Sequence, residues 1–286
     1  MFQRHGFHPR HDLGQNFLID INIIDFVIRN AELRENDVAL EIGAGTGGLT
    51  DFLAQDAGHV VSVELDRNMH ALATETITGH ENVTLLNTDA LKNKNNFSPT
   101  VLDAVNEALA AEPGRQLKLI ANLPYSIATP VISNLVATNL PWERMVVTIQ
   151  YELGLRMTAK PKTSHYGSLA VWLQSQCKVT MLKKLPPTVF WPRPKVDSAI
   201  MLIEPDLELR AAIPDREFFH NFVRMVFQHR RKLLRGVLAG MYRDQIDKAR
   251  VDTLLEEVGF GEGLRAEEID IPSLVKLATH IQRSIS

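Results

Sequence analysis

Val38-Ala39-Leu40-Glu41-Ile42-Gly43-Ala44-Gly45-Thr46-Gly47-Gly48 is an apolar run that empties into a glycine-rich turn. A short aliphatic segment bounded by glycines reads as a buried strand, and residues 49–54 carry the apolar spacing of an amphipathic helix. Strand, glycine turn and helix in that order open a sheet whose ligands sit at the carboxyl ends of the strands. Glycine at such a turn lets backbone approach a ligand closely.

The pattern repeats along the chain. Val60-Val61-Ser62-Val63 ends in Glu64, twenty-one residues after Gly43, where a carboxylate can accept from both hydroxyls of a ribose. Gly43, Gly45 and Gly48 also satisfy the dinucleotide fingerprint, so the loop alone leaves open a nicotinamide dinucleotide or S-adenosylmethionine. Val83-Thr84-Leu85-Leu86-Asn87 reads as a third strand, and Asp89 after it is placed either to accept from an adenine amino group or to act as a cap or turn residue. Leu117-Lys118-Leu119-Ile120-Ala121 is a fourth, running into Asn122-Leu123-Pro124-Tyr125. Helical segments alternate with these strands from Ile21–Ala31 up to residue 149, the pattern of a parallel sheet. Cys177–Leu185 and residues 199–203 read as two later strands with no comparable helix between them, a candidate antiparallel hairpin.

The Asn122 motif suits one piece of chemistry. An exocyclic adenine nitrogen is a poor nucleophile because its lone pair is delocalised into the ring, and two acceptors on its two N–H bonds favour rehybridisation. Asn122 Oδ1 and the Leu123 carbonyl can supply them, while Pro124 stiffens the loop. Tyr125 offers a stacking face for an unstacked base. Taken alone the four residues also fit an ordinary turn after a strand.

Four motifs together carry a family resemblance: Gly14-Gln15-Asn16-Phe17-Leu18, Glu41-Ile42-Gly43-Ala44-Gly45-Thr46-Gly47, Asn122-Leu123-Pro124-Tyr125 and Phe190-Trp191-Pro192-Arg193-Pro194-Lys195-Val196-Asp197-Ser198. The chain resembles the small-subunit ribosomal RNA adenine dimethylases over nearly its whole length. The resemblance implies a Rossmann-like class I methyltransferase sheet, α/β and seven-stranded with one antiparallel strand, in residues 1–205. A small all-α RNA-binding domain follows in 206–286. It implies transfer of methyl groups from S-adenosylmethionine to N6 of two adjacent adenosines near the 3′ end of the small-subunit RNA, in a partly assembled subunit, by a cytoplasmic monomer.

By the same resemblance Gln15, Asn16 and Leu18 line the donor site from the N-terminal segment, and Gly43, Gly45, Glu64, Leu65, Asp89, Ala90 and Asn122 complete it. Asn122, Leu123, Pro124 and Tyr125 grip the flipped adenine, with Phe190 on its other face. Relatives usually carry a basic residue where this chain has Asp12, lysine where it has Tyr151, and often asparagine where it has Ser126. The polar stretch Lys92-Asn93-Lys94-Asn95-Asn96 and the alanine-rich run after it look longer than in typical relatives.

The formal net charge of -3, from 31 basic and 34 acidic residues, does not announce an RNA-binding protein. Distribution matters more. Between Asp215 and Arg243 there are seven Lys or Arg against two acids, and one continuous helix would put Arg224, Arg231 and Arg235 on one stripe. Arg230 and Lys232 join that cluster; Arg193 and Lys195, with Lys160 and Lys162, extend it from the catalytic domain. A solvated helix face is the plain alternative.

At 286 residues and 45% hydrophobic content the chain can bury a full α/β core and keep a smaller domain. No apolar run approaches the roughly 18 residues that span a membrane. One cysteine, Cys177, excludes an internal disulfide, and the ten scattered histidines, His5, His8 and His11 included, predict no metal. Pro205 to Pro214 reads as a linker, followed by helices with Phe218, Phe222, Met225 and Val226 on one face, then Leu254, Leu255 and Val258, then residues 274–281. Two further readings stay open: a large-subunit RNA adenine methylase of the antibiotic-resistance type, and a ribosome-assembly factor with little or no transfer activity. A nicotinamide-dependent oxidoreductase leaves the Asn122 motif unexplained.

Overall fold

The computed structural model describes residues 15–261 and 263–285. Asp12, Gly14 and the histidines at 5, 8 and 11 lie outside the described residues. Strands run β1 Phe17–Leu18, β2 Val38–Ile42, β3 His59–Val63, β4 Val83–Leu86, β5 Leu91–Asn93, β6 Asn96–Phe97, β7 Leu117–Asn122, β8 Trp142–Gln150, β9 Cys177–Leu185, β10 Phe190–Trp191 and β11 Ser198–Pro205. Seven of them form one sheet in the order β4-β3-β2-β7-β8-β11-β9. Neighbours from β4 to β8 pair in parallel, and β11 lies antiparallel on β8.

Burial on both faces explains the composition of the central strands: all five residues of β2 are buried, as are the first five of β7. Helices α1 Ile21–Ala31, α2 Gly48–Asp56, α3 Arg67–Thr76, α4 Pro99–Ala110 and α5 Ala128–Ala137 alternate with the strands. Asp20 caps α1 and Asp66 caps α3, each through its side chain on two backbone N–H groups. Residues 91–97 form a small hairpin, β5 on β6, whose Asn93 side chain accepts from the Asn95 N–H. With α4, it accounts for the polar and alanine-rich stretch.

Lys118, the second residue of β7, is 1% exposed and pairs with Asp37 at 2.7 Å. Its Nζ also donates to the Glu32 carbonyl. This ion pair sits at the opposite end of β7 from Asn122, so it braces the scaffold rather than the chemistry.

The chain divides into two compact units. One holds the described residues up to Gly154 together with Thr180–Glu204; the other joins Leu155–Val179 to the chain from Pro205 onward. The second unit therefore draws in residues well before the expected linker. That linker contains helix of its own: after α6 Tyr151–Met157 and α7 Ser168–Gln174 comes α8 Leu207–Ala211, capped by Asp206. Next are α9 Arg216–Gln228, α10 Leu234–Met241, α11 Lys248–Val258 and α12 Ile271–Ile285. The buried face of α9 is Phe219, Phe222, Val223, Val226 and Phe227, while Met225, expected inside, is 39% exposed.

Inside the second unit Trp172 stacks on His220 at 4.3 Å, and the Tyr166 hydroxyl donates to the Ile269 carbonyl at 2.9 Å. Among the described residues no helix is long and apolar enough to cross a membrane, and no three His, Cys, Asp or Glu are grouped to hold a metal ion.

Candidate active site

The carboxyl ends of β2, β3 and β7 and the turn after β4 converge on one cavity of about 190 Å³, entirely within the first unit. Each strand end contributes a different function. At the end of β2 the backbone turns through Gly43 and Gly45, both with positive φ, 90° and 58°. A Cβ at Gly43 would meet the Pro124 ring at 3.1 Å, and one at Gly45 would meet the Phe17 ring at 2.8 Å. Bare backbone is therefore required twice over, by conformation and by space. The result is a cradle that can lie directly against a ligand.

Glu64, just past β3, is 8% exposed. Its Oε2 accepts from the Gly45 N–H and its Oε1 from the Asp66 N–H, both at 2.8 Å. Burial pushes this carboxyl up, against those two hydrogen bonds. Each oxygen keeps a further lone pair, so the carboxylate is aimed and still able to accept from a diol. Asn87 steadies the same turn by donating to the Glu64 carbonyl at 2.8 Å. Asp89 is exposed at the lining and spends one oxygen on the Leu91 N–H, while the other remains for a ligand. Leu65, 51% exposed, and buried Ala90 give the same region an apolar lining.

At the end of β7, Asn122 Nδ2 donates to the Asn16 carbonyl at 2.7 Å. A carbonyl cannot donate, so the amide group beside it must be the NH₂ and Oδ1 is left as an acceptor at the cavity. Leu123 is buried and anchored by its N–H on the Thr148 carbonyl at 3.1 Å. The Tyr125 hydroxyl and Ser198 Oγ lie 2.6 Å apart, which ties the Asn122 motif to the last residue of the Phe190 motif.

Every donor-site residue named from the sequence lines this cavity: Gln15, Asn16, Leu18, Gly43, Gly45, Glu64, Leu65, Asp89, Ala90 and Asn122. So do Leu123, Pro124 and Tyr125. Phe190 is placed differently. It is 1% exposed, belongs to the core cluster with Ile23, Val27 and Ile120, and is not among the lining residues. The cause is strand pairing: β10 lies antiparallel on β1, with Leu18 opposite Phe190, and the pleat turns that ring into the core.

Sequence reasoning passed over Glu41. This 1% exposed carboxyl accepts on Oε2 from Thr50 Oγ1 at 2.5 Å and from Ser62 Oγ at 2.6 Å, and burial pushes it up to about 7. The signal was there, an acid inside an otherwise apolar strand buried on both faces.

Family comparison agrees with the geometry. The profile described as ribosomal RNA adenine dimethylase matches residues 6–269. The chain belongs to that family. Ribosomal RNA small subunit methyltransferase A of Bacillus cereus is 37% identical over 277 residues, 96% of this chain and 92% of the relative. The Pediococcus pentosaceus protein of the same name is 35% identical over 283 residues, 99% and 93%. Among solved structures, a dimethyladenosine transferase from Plasmodium falciparum superposes with a TM-score of 0.78 at 24% identity, covering 94% of this chain and 98% of its own. The 23S rRNA methyltransferase ErmE gives 0.64 at 25%, covering 93% and 100%. Both superpositions show a shared fold along nearly the whole chain.

The basic residues named for RNA sort into two groups. Arg230 donates to the Tyr166 carbonyl and faces Glu267 at 3.5 Å; Arg235 is held in a bidentate pair by Asp252. Both serve the second unit itself. Arg224, Arg231 and Lys232 are exposed, but the single helical stripe expected of Arg224, Arg231 and Arg235 does not exist, because α9 stops at Gln228 and α10 starts at Leu234. Arg193 and Lys195 are exposed in the first unit, whereas Lys160 and Lys162 fall in the second. Tyr151 lies under Lys184, whose Nζ is 4.5 Å from the ring centroid and 2.7 Å from Asp197.

Proposed function

We propose that this chain transfers methyl groups from S-adenosylmethionine to N6 of two adjacent adenosines near the 3′ end of small-subunit ribosomal RNA, leaving each as N6,N6-dimethyladenosine. The observation that carries the reading is the orientation of the Asn122 amide, whose Nδ2 is committed to Asn16 and whose Oδ1 is left for an adenine amine. The methyl donor fits the residues present: a glycine cradle for its backbone-sized groups, Glu64 for a ribose diol, and Asp89 with Leu65 and Ala90 for its base.

The donor supplies an electrophilic methyl carbon on cationic sulfur. Asn122 Oδ1 and the Leu123 carbonyl accept from the two N–H bonds of the target amine, drawing its lone pair out of the ring and toward that carbon. Bound there, the donor would give its methyl carbon to that lone pair and keep the C–S electrons on sulfur, while the target nitrogen would release one proton to solvent. No strong base is required, because positioning and charge neutralisation at sulfur lower the barrier. Tyr125 holds the base by its face. After the first transfer one N–H remains, so the second proceeds with one of the two acceptors.

The small subunit enters through the relatives, which carry that name at 33–37% identity, against 25% for the 23S enzyme. On this reading the substrate is a partly assembled particle in the cytoplasm and the enzyme a monomer, with Arg224, Arg231, Lys232, Arg193 and Lys195 meeting phosphate. Incubation with isotope-labelled donor and unmodified small subunits, followed by mapping of the labelled nucleotides, tests it. Label in two neighbouring adenosines near the 3′ end is expected. Label in large-subunit RNA instead, or none, overturns the assignment.

A further inference from the structure

Trp191 plays no part in the transfer chemistry and is not itself in the cavity wall, yet it is the cross-strand partner of a residue that is. Strand β10 pairs with β1 so that Phe17 is opposite Trp191 and Leu18 opposite Phe190. Opposed residues of an antiparallel pair present their side chains on one face, and the next residue along points to the other. Phe190 accordingly turns into the core, and Trp191 shares the face of Phe17. Phe17 lines the cavity, its ring against the Gly45 turn. An indole 43% exposed therefore stands next to the ring that walls the cavity, whereas the other two tryptophans, Trp142 and Trp172, are 4% and 2% exposed. The chain continues from Trp191 through exposed Arg193 and Lys195.

We propose that Trp191 is the stacking platform for the nucleotide adjacent to the adenosine being methylated, with Arg193 and Lys195 taking the phosphates beside it. The inference rests on the RNA-methylating reading above and extends it to a second base. A target adenine reaches Asn122 only by leaving its stack, which strips its neighbour of one stacking face. An exposed indole paired with the Phe17 wall replaces that face, and it does so for any base, because every base has a π-face. With two adjacent adenosines as substrate, the platform holds whichever of the pair is outside the cavity.

The full chain and its Trp191→Phe and Trp191→Ala variants are titrated with a short single-stranded adenosine oligonucleotide up to millimolar, following tryptophan fluorescence, and are assayed for methyl transfer to unmodified small subunits. Because Trp142 and Trp172 are buried, quenching by the oligonucleotide reports Trp191 and is lost in Trp191→Phe. Trp191→Ala raises KM for small subunits by about 5- to 150-fold, the range of one base–aromatic stack. In that variant kcat is unchanged, and Trp191→Phe restores most of the KM. An unchanged KM in Trp191→Ala overturns the proposal, as does the absence of Trp191-dependent quenching at millimolar oligonucleotide. A raised KM without quenching assigns Trp191 to a protein contact and overturns it equally. A wild-type chain that labels no adenosine sinks the functional reading instead, and the quenching arm still decides the platform.

Discussion

Asn122 Nδ2 donates to the Asn16 backbone carbonyl at 2.7 Å, and this one hydrogen bond leaves Oδ1 as the unspent end of the amide. Asn122→Ala removes the acceptor and leaves the cavity walls in place. Loss of one preorganised hydrogen-bonding group at a transition state costs about 10²- to 10³-fold in kcat. Methyl transfer should fall by that much while calorimetric titration with the donor shows binding weakened at most. Asn122→Asp should be equally inactive at neutral pH, because a carboxylate has nothing to donate to the Asn16 carbonyl. Near-normal turnover in Asn122→Ala would remove Asn122 from the chemistry.

The Tyr125–Ser198 hydrogen bond joins motifs 73 residues apart. Burial pushes the Tyr125 phenol up, so it stays neutral across the working pH range. Ser198→Ala leaves that hydroxyl without this partner in a part-buried site, a loss of about 1 to 3 kcal/mol. Denaturant unfolding should show it. Tyr125→Phe keeps the stacking face and should retain turnover, whereas Tyr125→Ala should raise KM for small subunits. If Phe and Ala prove equivalent, the ring does not hold a base.

The row of ligand-facing strand ends was legible because a parallel sheet ties function to a period the chain displays openly: a buried apolar strand, then a turn with a special residue. Glu64, Asp89 and Asn122 all stand one to three residues past or at such an end. What escaped was set by pairings that no local pattern encodes. Phe190 goes inward because Leu18, far away in sequence, is its cross-strand partner. The arginine stripe fails for a similar reason. Nothing breaks the helical pattern between Gln228 and Leu234, but the Leu234 N–H donates to the Leu264 carbonyl at 2.8 Å and Leu233 bridges Arg265, which fixes the break from outside. Residues 155–179 lie well before the expected linker, and only their packing with the C-terminal helices moves them to the second unit.

The sorting of the basic residues gives a contrast in salt dependence. Arg231 and Lys232 are exposed, while Arg235 is clasped by Asp252. Charge reversal at Arg231 or Lys232 should weaken binding to small subunits and flatten the plot of log affinity against log salt by about 0.7 to 0.9 for each phosphate left unneutralised. Arg235→Ala should leave that slope unchanged. Equal slopes for all three would return Arg231 and Lys232 to ordinary solvated surface.

Lys118 and Asp37 form a buried ion pair, 1% and 2% exposed. Lys118→Met strands the Asp37 carboxylate in the interior, and removal of one partner from such a pair costs about 3 to 5 kcal/mol. Replacing both with apolar residues of similar size should recover most of that loss. Since the pair lies at the far end of β7 from Asn122, kcat of the folded fraction should not change. Coupling measured by the double-mutant cycle decides the point; additive losses would mean the two groups do not compensate each other.

Glu41 makes stability depend on pH in a definite direction. Its folded carboxyl is raised from 4.5 to about 7, chiefly by burial, with the nearby Glu64 carboxylate adding to the rise and the Ser62 and Thr50 hydroxyls opposing it. The folded state therefore binds a proton that the unfolded chain has already released, so stability is full below pH 4.5 and falls as pH climbs toward about 7. Integrated over that interval the loss reaches about 3 kcal/mol. Glu41→Gln keeps an oxygen for both hydroxyls and has no proton to lose. Chemical denaturation of both proteins at pH 5 and pH 8 should show the wild type losing stability relative to the variant at the higher pH. Parallel pH dependence in the two would mean that Glu41 is already ionised in the folded protein at pH 5, stabilised there by Thr50 and Ser62 more strongly than its burial opposes.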